Sequence, residues 1–346
     1  MHLKKKKLLI IGNSYSVDSV RYVHDMAKSV GADIDTYLIQ HGGATVYDLY
    51  VNRSDTSYYL PIQINGHSTS QKKSLDALLD DETFDYVVMQ NYWGSSQGII
   101  NYVDNSTSSS KENNYKAMAE YIREKQPNTE IMINAVWSNE HGYNVPEKID
   151  AAARASSFAE MTNYVQRYFY DQEEKFNGQA AIDCSSVNGG KPLTQMPVGY
   201  AIQLAREYET GGNKPFFTTC GTDLLSLYVD GGVCPIGDAD KIAGRLRLNR
   251  DGYHLSLAGR YLAGLVWTQM LTECDVNDIA FVPTPEMIRC GIQASDGTST
   301  TDTINLTFDP ITAVQQQQLK VIAGKAVNNY KTYGTRGLAD TAMPLD

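Results

Sequence analysis

Ser14 lies in Gly12-Asn13-Ser14-Tyr15-Ser16, directly after the apolar run Leu8 to Ile11. A hydroxyl at a tight strand-to-helix turn, beside a helix N-terminus that favours developing negative charge, is placed where a nucleophile works. The same position suits a helix N-cap or a phosphate-loop serine, which is the commoner use of serine there. A serine nucleophile needs a base, and the base needs an orienting carboxylate. The chain has six histidines. His2 is terminal, His24 falls within a helical pattern, and His67 and His141 lie in loops with no acid pattern nearby. His41 stands beside Gly42 and could border a pocket. His254 differs, because Arg250-Asp251-Gly252-Tyr253-His254 carries an acid three residues earlier, just ahead of an apolar helical pattern. The plain alternative is that Asp251 caps a turn and His254 is a packed polar group. On these residues alone both readings stand.

The elements that would position these groups follow from hydrophobic spacing. Leu8 to Ile11 reads as a parallel strand buried on both faces. Val17, Val20, Val23, Ala27 and Val30 recur at helical spacing, with Gly31 at the C′ position. Strands are expected at Ile34 to Ile39, Tyr86 to Met89 and Glu130 to Ala135. Helices are expected at Leu75 to Leu79, Tyr115 to Lys125, Ala151 to Tyr170, Ala201 to Tyr208 and Leu257 to Leu271. Strands alternating with helices predict a mostly parallel sheet covered on both faces, with reactive groups at the carboxyl ends of the strands. Those ends read Gly12-Asn13-Ser14, Gly42-Gly43, Gln90-Asn91 and Val136-Trp137. Residues 94–114 and 218–247 read as long loops. Beyond Cys274 the pattern changes, with Ile304 to Phe308 alternating like an edge strand. The chain therefore divides into residues 1–275 and a C-terminal extension or small accessory unit, 276–346.

GNSYSVD at the first strand end and DGYHLSLAGRYLAG near the last helix of the α/β part resemble the SGNH (GDSL-type) hydrolase superfamily. The resemblance is nearest to a bacterial branch of undefined function with GNSFS-like and DGxHLSxxGRYLA-like blocks. PVGYAIQLAR, from Pro197 to Arg206, is similar to that branch too. The resemblance covers about Leu8 to Thr272 and implies a flavodoxin-like three-layer α/β/α sandwich. It implies Ser14 as nucleophile and oxyanion-hole N–H donor, His254 as general base and Asp251 as its orienting acid. Gly43 matches the glycine of the second block, with Gly42 competing. The third block departs from the family string: Met89-Gln90-Asn91-Tyr92 leaves its amide donor between Gln90 and Asn91, with Gln90 preferred because it follows the strand directly. Asn13 replaces the Asp of the GDS form and is expected to close its own turn. Asp18 is expected to cap or pair nearby. Asn91, Tyr92, Trp93 and Trp137 are candidates for binding a sugar, although aromatic residues at strand ends more commonly pack.

The expected activity is therefore metal-independent hydrolysis of short acyl esters, acetyl above all, on a small-molecule or carbohydrate alcohol, with no cofactor. The opposing reading is a carbohydrate-binding or structural protein that keeps this scaffold without turnover. The net charge of −10 argues against nucleic acid as the partner. No apolar run approaches the roughly 20 residues of a membrane span. Five widely spaced cysteines form no CxxC pair and suggest neither a zinc site nor a disulfide framework. Phosphate-loop, dinucleotide, HExxH and GxSxG signatures are absent. Lys4 to Lys7 before a four-residue apolar run falls short of a signal peptide. The chain reads as cytoplasmic as it stands, or as secreted after loss of a leader.

Overall fold

The computed structural model describes residues 5–91, 114–137, 170, 174, 176–211, 215–217, 246–250, 254–293, 299–308 and 310–340. Strand β1 (Lys6–Gly12) is central. Leu8, Leu9, Ile10 and Ile11 are fully buried, as an unbroken apolar run in a sheet covered on both faces requires. It pairs in parallel with β2 (Ile34–Gln40) on one side and with β5 (Tyr86–Met89) on the other. Beyond β5 lie β6 (Glu130–Asn134) and β7 (Thr194–Met196), also parallel. A short antiparallel hairpin, β3 (Gln63–Ile64) and β4 (His67–Ser68), extends the other edge. The order is β4-β3-β2-β1-β5-β6-β7. Its five parallel strands follow the flavodoxin-like order, and the chain changes direction across the sheet between β1 and β5. Ligand crevices form at such a switch point, outside the carboxyl ends of the strands.

On one side of the sheet α1 (Ser14–Val20) and α2 (Val23–Ser29) pack with α7 (Leu257–Thr272), which also meets α6 (Val198–Glu207). The other group is α3 (Val46–Val51), α4 (Leu75–Asp81) and α5 (Asn114–Lys125), tied by bonds from Tyr121 and Lys125 to Asp76 and Asp80. Helix α7 is buried from Leu257 through Gln269, so it runs through the core rather than over it. Gly259 allows that close approach, since a Cβ there would stand 2.2 Å from the Leu248 carbonyl oxygen.

The helix expected across Val17 to Val30 is two helices. Tyr22 leaves helical geometry (φ −116°, ψ 6°), its ring packs 5.5 Å from Phe281, and its hydroxyl donates to Glu286. That distant contact outweighs helix continuity. Gly31, at φ +79°, does end α2 as expected. Most of the helix expected at residues 151–170 and both long loops lie outside the described residues. After α7, β8 (Met287–Gln293) and β9 (Ser299–Thr307) form an antiparallel ribbon, and α8 (Ala313–Asp340, kinked at Gly334) follows. Sequence spacing did not suggest α8, because Gln315 to Gln318 interrupt its apolar stripe. Leu319, Ile322, Ala323, Ala326 and Val327 nevertheless share the main core, against α6 and α7.

Candidate active site

Gly12 ends β1, and Asn13 caps α1 with its Oδ1 accepting the Tyr15 N–H at 3.0 Å. Its Nδ2 donates to the Ala44 carbonyl at 2.9 Å, so one buried amide closes its own turn and straps it to the loop after β2. Gln90, at the end of β5, is the second buried clamp. Its Oε1 accepts from the Asn13 N–H at 3.2 Å and from Ser16 Oγ at 2.8 Å, while its Nε2 donates to the Asn91 carbonyl. The loops after β1, β2 and β5 are thus stitched together at the switch point. Ser14, the first residue of α1, is half-buried there.

In the second loop, Gly42 and Gly43 are exposed, and Gly43 takes φ +69°, the left-handed region that glycine adopts without strain. Thr45 and Asp48 then cap α3 reciprocally. His41 stacks on Tyr58 at 4.1 Å, with Nδ1 donating to the Tyr58 carbonyl at 2.6 Å. The half-buried Asn91 reaches α3, where its Oδ1 accepts the Val46 N–H at 3.1 Å.

His254 comes to the same end of the sheet. Its ring lies 6.0 Å from the Tyr15 ring, next in sequence to Ser14. The segment carrying it is folded back by Arg250 N–H donating to the His254 carbonyl at 2.8 Å and by a bridge between Asn249 and Leu255. Asp18, one helical turn after Ser14, receives that segment: its Oδ2 accepts the Leu255 N–H at 2.8 Å. Both carboxylate oxygens also accept from Arg250 Nη1 at 2.8 Å, and Arg260 adds bonds of 2.8–2.9 Å from α7. Burial alone would raise the Asp18 carboxyl, yet Arg250 and Arg260, with His254 nearby, hold it below the ordinary carboxylate range. Arg260 continues to Glu286, which Tyr22 and Arg21 also bond.

Asn13 closes its turn as the sequence suggests, and Asp18 pairs rather than caps. Trp137 is a correction. It is fully buried with its ring 4.9 Å from Tyr15, so it packs the site's floor and offers no face to a sugar. Gln90, the preferred amide donor, is fully buried, with its oxygen bonded to Asn13 and Ser16 and its nitrogen to the Asn91 carbonyl. Asp251, Tyr92 and Trp93 lie outside the described residues. Residue types did not point to the clamp by Gln90 or the pairing of Asp18 with Arg250 and Arg260. The one available signal was Arg250 adjoining Asp251 in the closing block. Among the described residues, no group of three or more His, Cys, Asp or Glu side chains could hold a metal ion. Among the same residues, no helix is long and apolar enough to cross a membrane.

No family model and no curated protein matches the chain. Its fold is similar to that of a DUF4886 family protein from Bacteroides uniformis, at 21% identity and a TM-score of 0.59, covering 94% of this chain and 95% of that one. A protein from Parabacteroides merdae named as a GDSL-like lipase is 15% identical over 77% of this chain and 96% of its own, with a TM-score of 0.37. The acetyl xylan esterase AlAXEase is 13% identical over 76% of this chain and 98% of its own, with a TM-score of 0.33. The sheet order, its parallel strands and its two helical layers are those of a flavodoxin-like α/β/α sandwich.

Proposed function

We propose that this chain is a serine ester hydrolase of the SGNH type that removes short acyl groups, acetyl above all, from a hydroxyl-rich alcohol such as a carbohydrate. One observation carries the reading: Asp18 docks the His254 segment onto α1, the helix that begins at Ser14. In this reading Ser14 Oγ attacks the ester carbonyl while a His254 ring nitrogen takes its proton, and Asp251 orients the imidazole. The tetrahedral oxyanion is received by the Ser14 and Gly43 N–H groups and a side-chain amide. The oxyanion collapses, the C–O bond to the alcohol breaks, and the proton passes from His254 to the departing alcohol. Water then repeats the sequence on the acyl-serine, releasing the carboxylic acid and restoring Ser14.

For the third donor we assign Asn91 in place of Gln90. Gln90 is fully buried, with its amide bonded to Asn91, Asn13 and Ser16, whereas Asn91 is half-buried at the same strand end, which supports Asn91 as the side chain within reach of a substrate. Tyr92 and Trp93 follow it in the chain and are proposed to stack on the sugar. The preference for short acyl groups rests on the polar strand ends, Asn13, Gln40, His41 and Asn91, which supply no continuous apolar lining for a long chain. The GNSYS and DGYHLS blocks themselves support assignment to the branch that carries them. In the same reading the α/β part ends at residue 275 and the β8–β9 ribbon follows it, while α8 returns to the main core against α6 and α7.

A fluorophosphonate probe should label the wild-type chain and not Ser14→Ala, and p-nitrophenyl acetate should turn over faster than the octanoate. Labelling that persists in Ser14→Ala, or no labelling of wild type, overturns the enzyme reading in favour of a binding protein. A kcat/KM that rises steadily with acyl length overturns the acetyl preference alone.

A further inference from the structure

We infer that Asp18 is the positioning residue of this site: it sets where the His254 imidazole stands relative to α1. The inference rests on the assignment of Ser14 and His254 above. The carboxylate is fully buried. Its partners come from two elements. Leu255 N–H and Arg250 Nη1 belong to the segment bearing His254, and Arg260 belongs to α7. Arg250 Nη1 also donates to the Leu255 carbonyl, so one guanidinium grips both the carboxylate and the backbone beside the histidine.

The arrangement is more than a packed ion pair. The Leu255 N–H adjoins His254 in the chain, and Asp18 projects from α1 one turn beyond Ser14. A displacement of the carboxylate therefore moves the base relative to the nucleophile's helix. Two buried cations share Asp18, and Glu286 satisfies only Arg260 among them. Without Asp18, the Leu255 N–H and Arg250 Nη1 both lose the carboxylate that ties this segment to α1, while Arg250 keeps the Leu255 carbonyl. Displacing a reacting group by about 1 Å is enough to cost on the order of 100-fold in rate.

The test uses the full chain labelled with ¹⁵N-histidine, with His254→Ala to assign the His254 ring signals. Asp18→Asn preserves volume. Asp18→Asn/Arg260→Gln removes one charge of each sign, so that a folded protein is obtained if the single variant does not fold. Expected are His254 ring resonances that shift or split while those of His24 and His67 stay in place. A kcat for p-nitrophenyl acetate about 100-fold lower should accompany this, with KM within about 3-fold. Unmoved His254 resonances in a folded variant overturn the inference, as does a wild-type kcat. If wild type neither turns over ester nor reacts with fluorophosphonate, the Ser14 assignment fails. The ring signals still decide whether Asp18 positions His254.

Discussion

Gly12→Ala tests the packing that holds the Ser14 turn. A Cβ at residue 12 would stand 2.2 Å from Ser16 Oγ, 2.7 Å from Gln90 Oε1 and 3.0 Å from Ser16 Cβ. The first distance is about 1 Å inside ordinary van der Waals contact, and the two oxygens form a buried hydrogen bond of 2.8 Å. Rotating the Ser16 hydroxyl away breaks that bond and leaves its Cβ still crowded. Overpacking costs about 1–3 kcal/mol, and a buried polar group left unsatisfied costs about 1–3 kcal/mol more. The expected loss is on the order of 2–6 kcal/mol. Urea unfolding followed by tryptophan fluorescence would read this as a midpoint lower by on the order of 1 M. Ser16→Ala alone should cost about 1 kcal/mol for the lost bond. The double variant should be no less stable than Gly12→Ala, because removing Oγ makes room for the methyl group. The coupling should be at least about 1 kcal/mol. Gly43→Ala is the contrast: nothing lies within 4 Å of its Cβ, and only the left-handed φ opposes it, at about 1–2 kcal/mol. A Gly12→Ala protein within about 0.5 kcal/mol of wild type, or strictly additive costs, would refute the reasoning.

Three further outcomes are expected. Asn13→Ala loses the α1 cap and the strap to Ala44, about 2 kcal/mol in all. Asn13→Asp keeps the cap and loses the strap, so its melting temperature should lie between those of Asn13→Ala and wild type. Asp18 has a depressed folded value, so its contribution is full above the ordinary aspartate range, about 3.9, and is lost as pH falls through the lower folded value. The melting temperatures of wild type and Asp18→Asn should therefore differ most at pH 5–7 and converge below about pH 4, as calorimetry across that window would show. Burial pushes the Cys184 thiol up to about 12. Iodoacetamide at pH 8 should leave Cys184 unmodified in the folded protein and alkylate it in urea. Peptide mass spectrometry showing modification of the native protein at a free-thiol rate would contradict its burial.

Strand β1, the turn after it and α7 were legible in the sequence because each depends on local pattern. An unbroken apolar run, a polar cap residue at Asn13 and a helical stripe from Leu257 need no knowledge of distant residues. Ser14 and His254 could be singled out in the same way, since each sits in a short block of distinctive residues. What Gln90 does was not legible. An amide after a strand can point toward solvent as a donor or inward as a clamp, and here the choice is made by Asn13 and Ser16, more than 70 positions away. Trp137 shows the same limit, because a strand-end aromatic reads alike whether Tyr15 covers it or a ligand does. The break between α1 and α2 also follows from a distant partner, Glu286, which bonds Tyr22 across 264 positions. Asp18 is the clearest case. Its residue type and spacing announced only a polar position on a helix, while its role comes from two arginines and one backbone N–H that are 232 to 242 positions away. Local pattern sets the elements because backbone hydrogen bonding and apolar spacing act over a few residues. The partners of a buried charge are chosen by how the finished layers stack, and only the tertiary structure decides that.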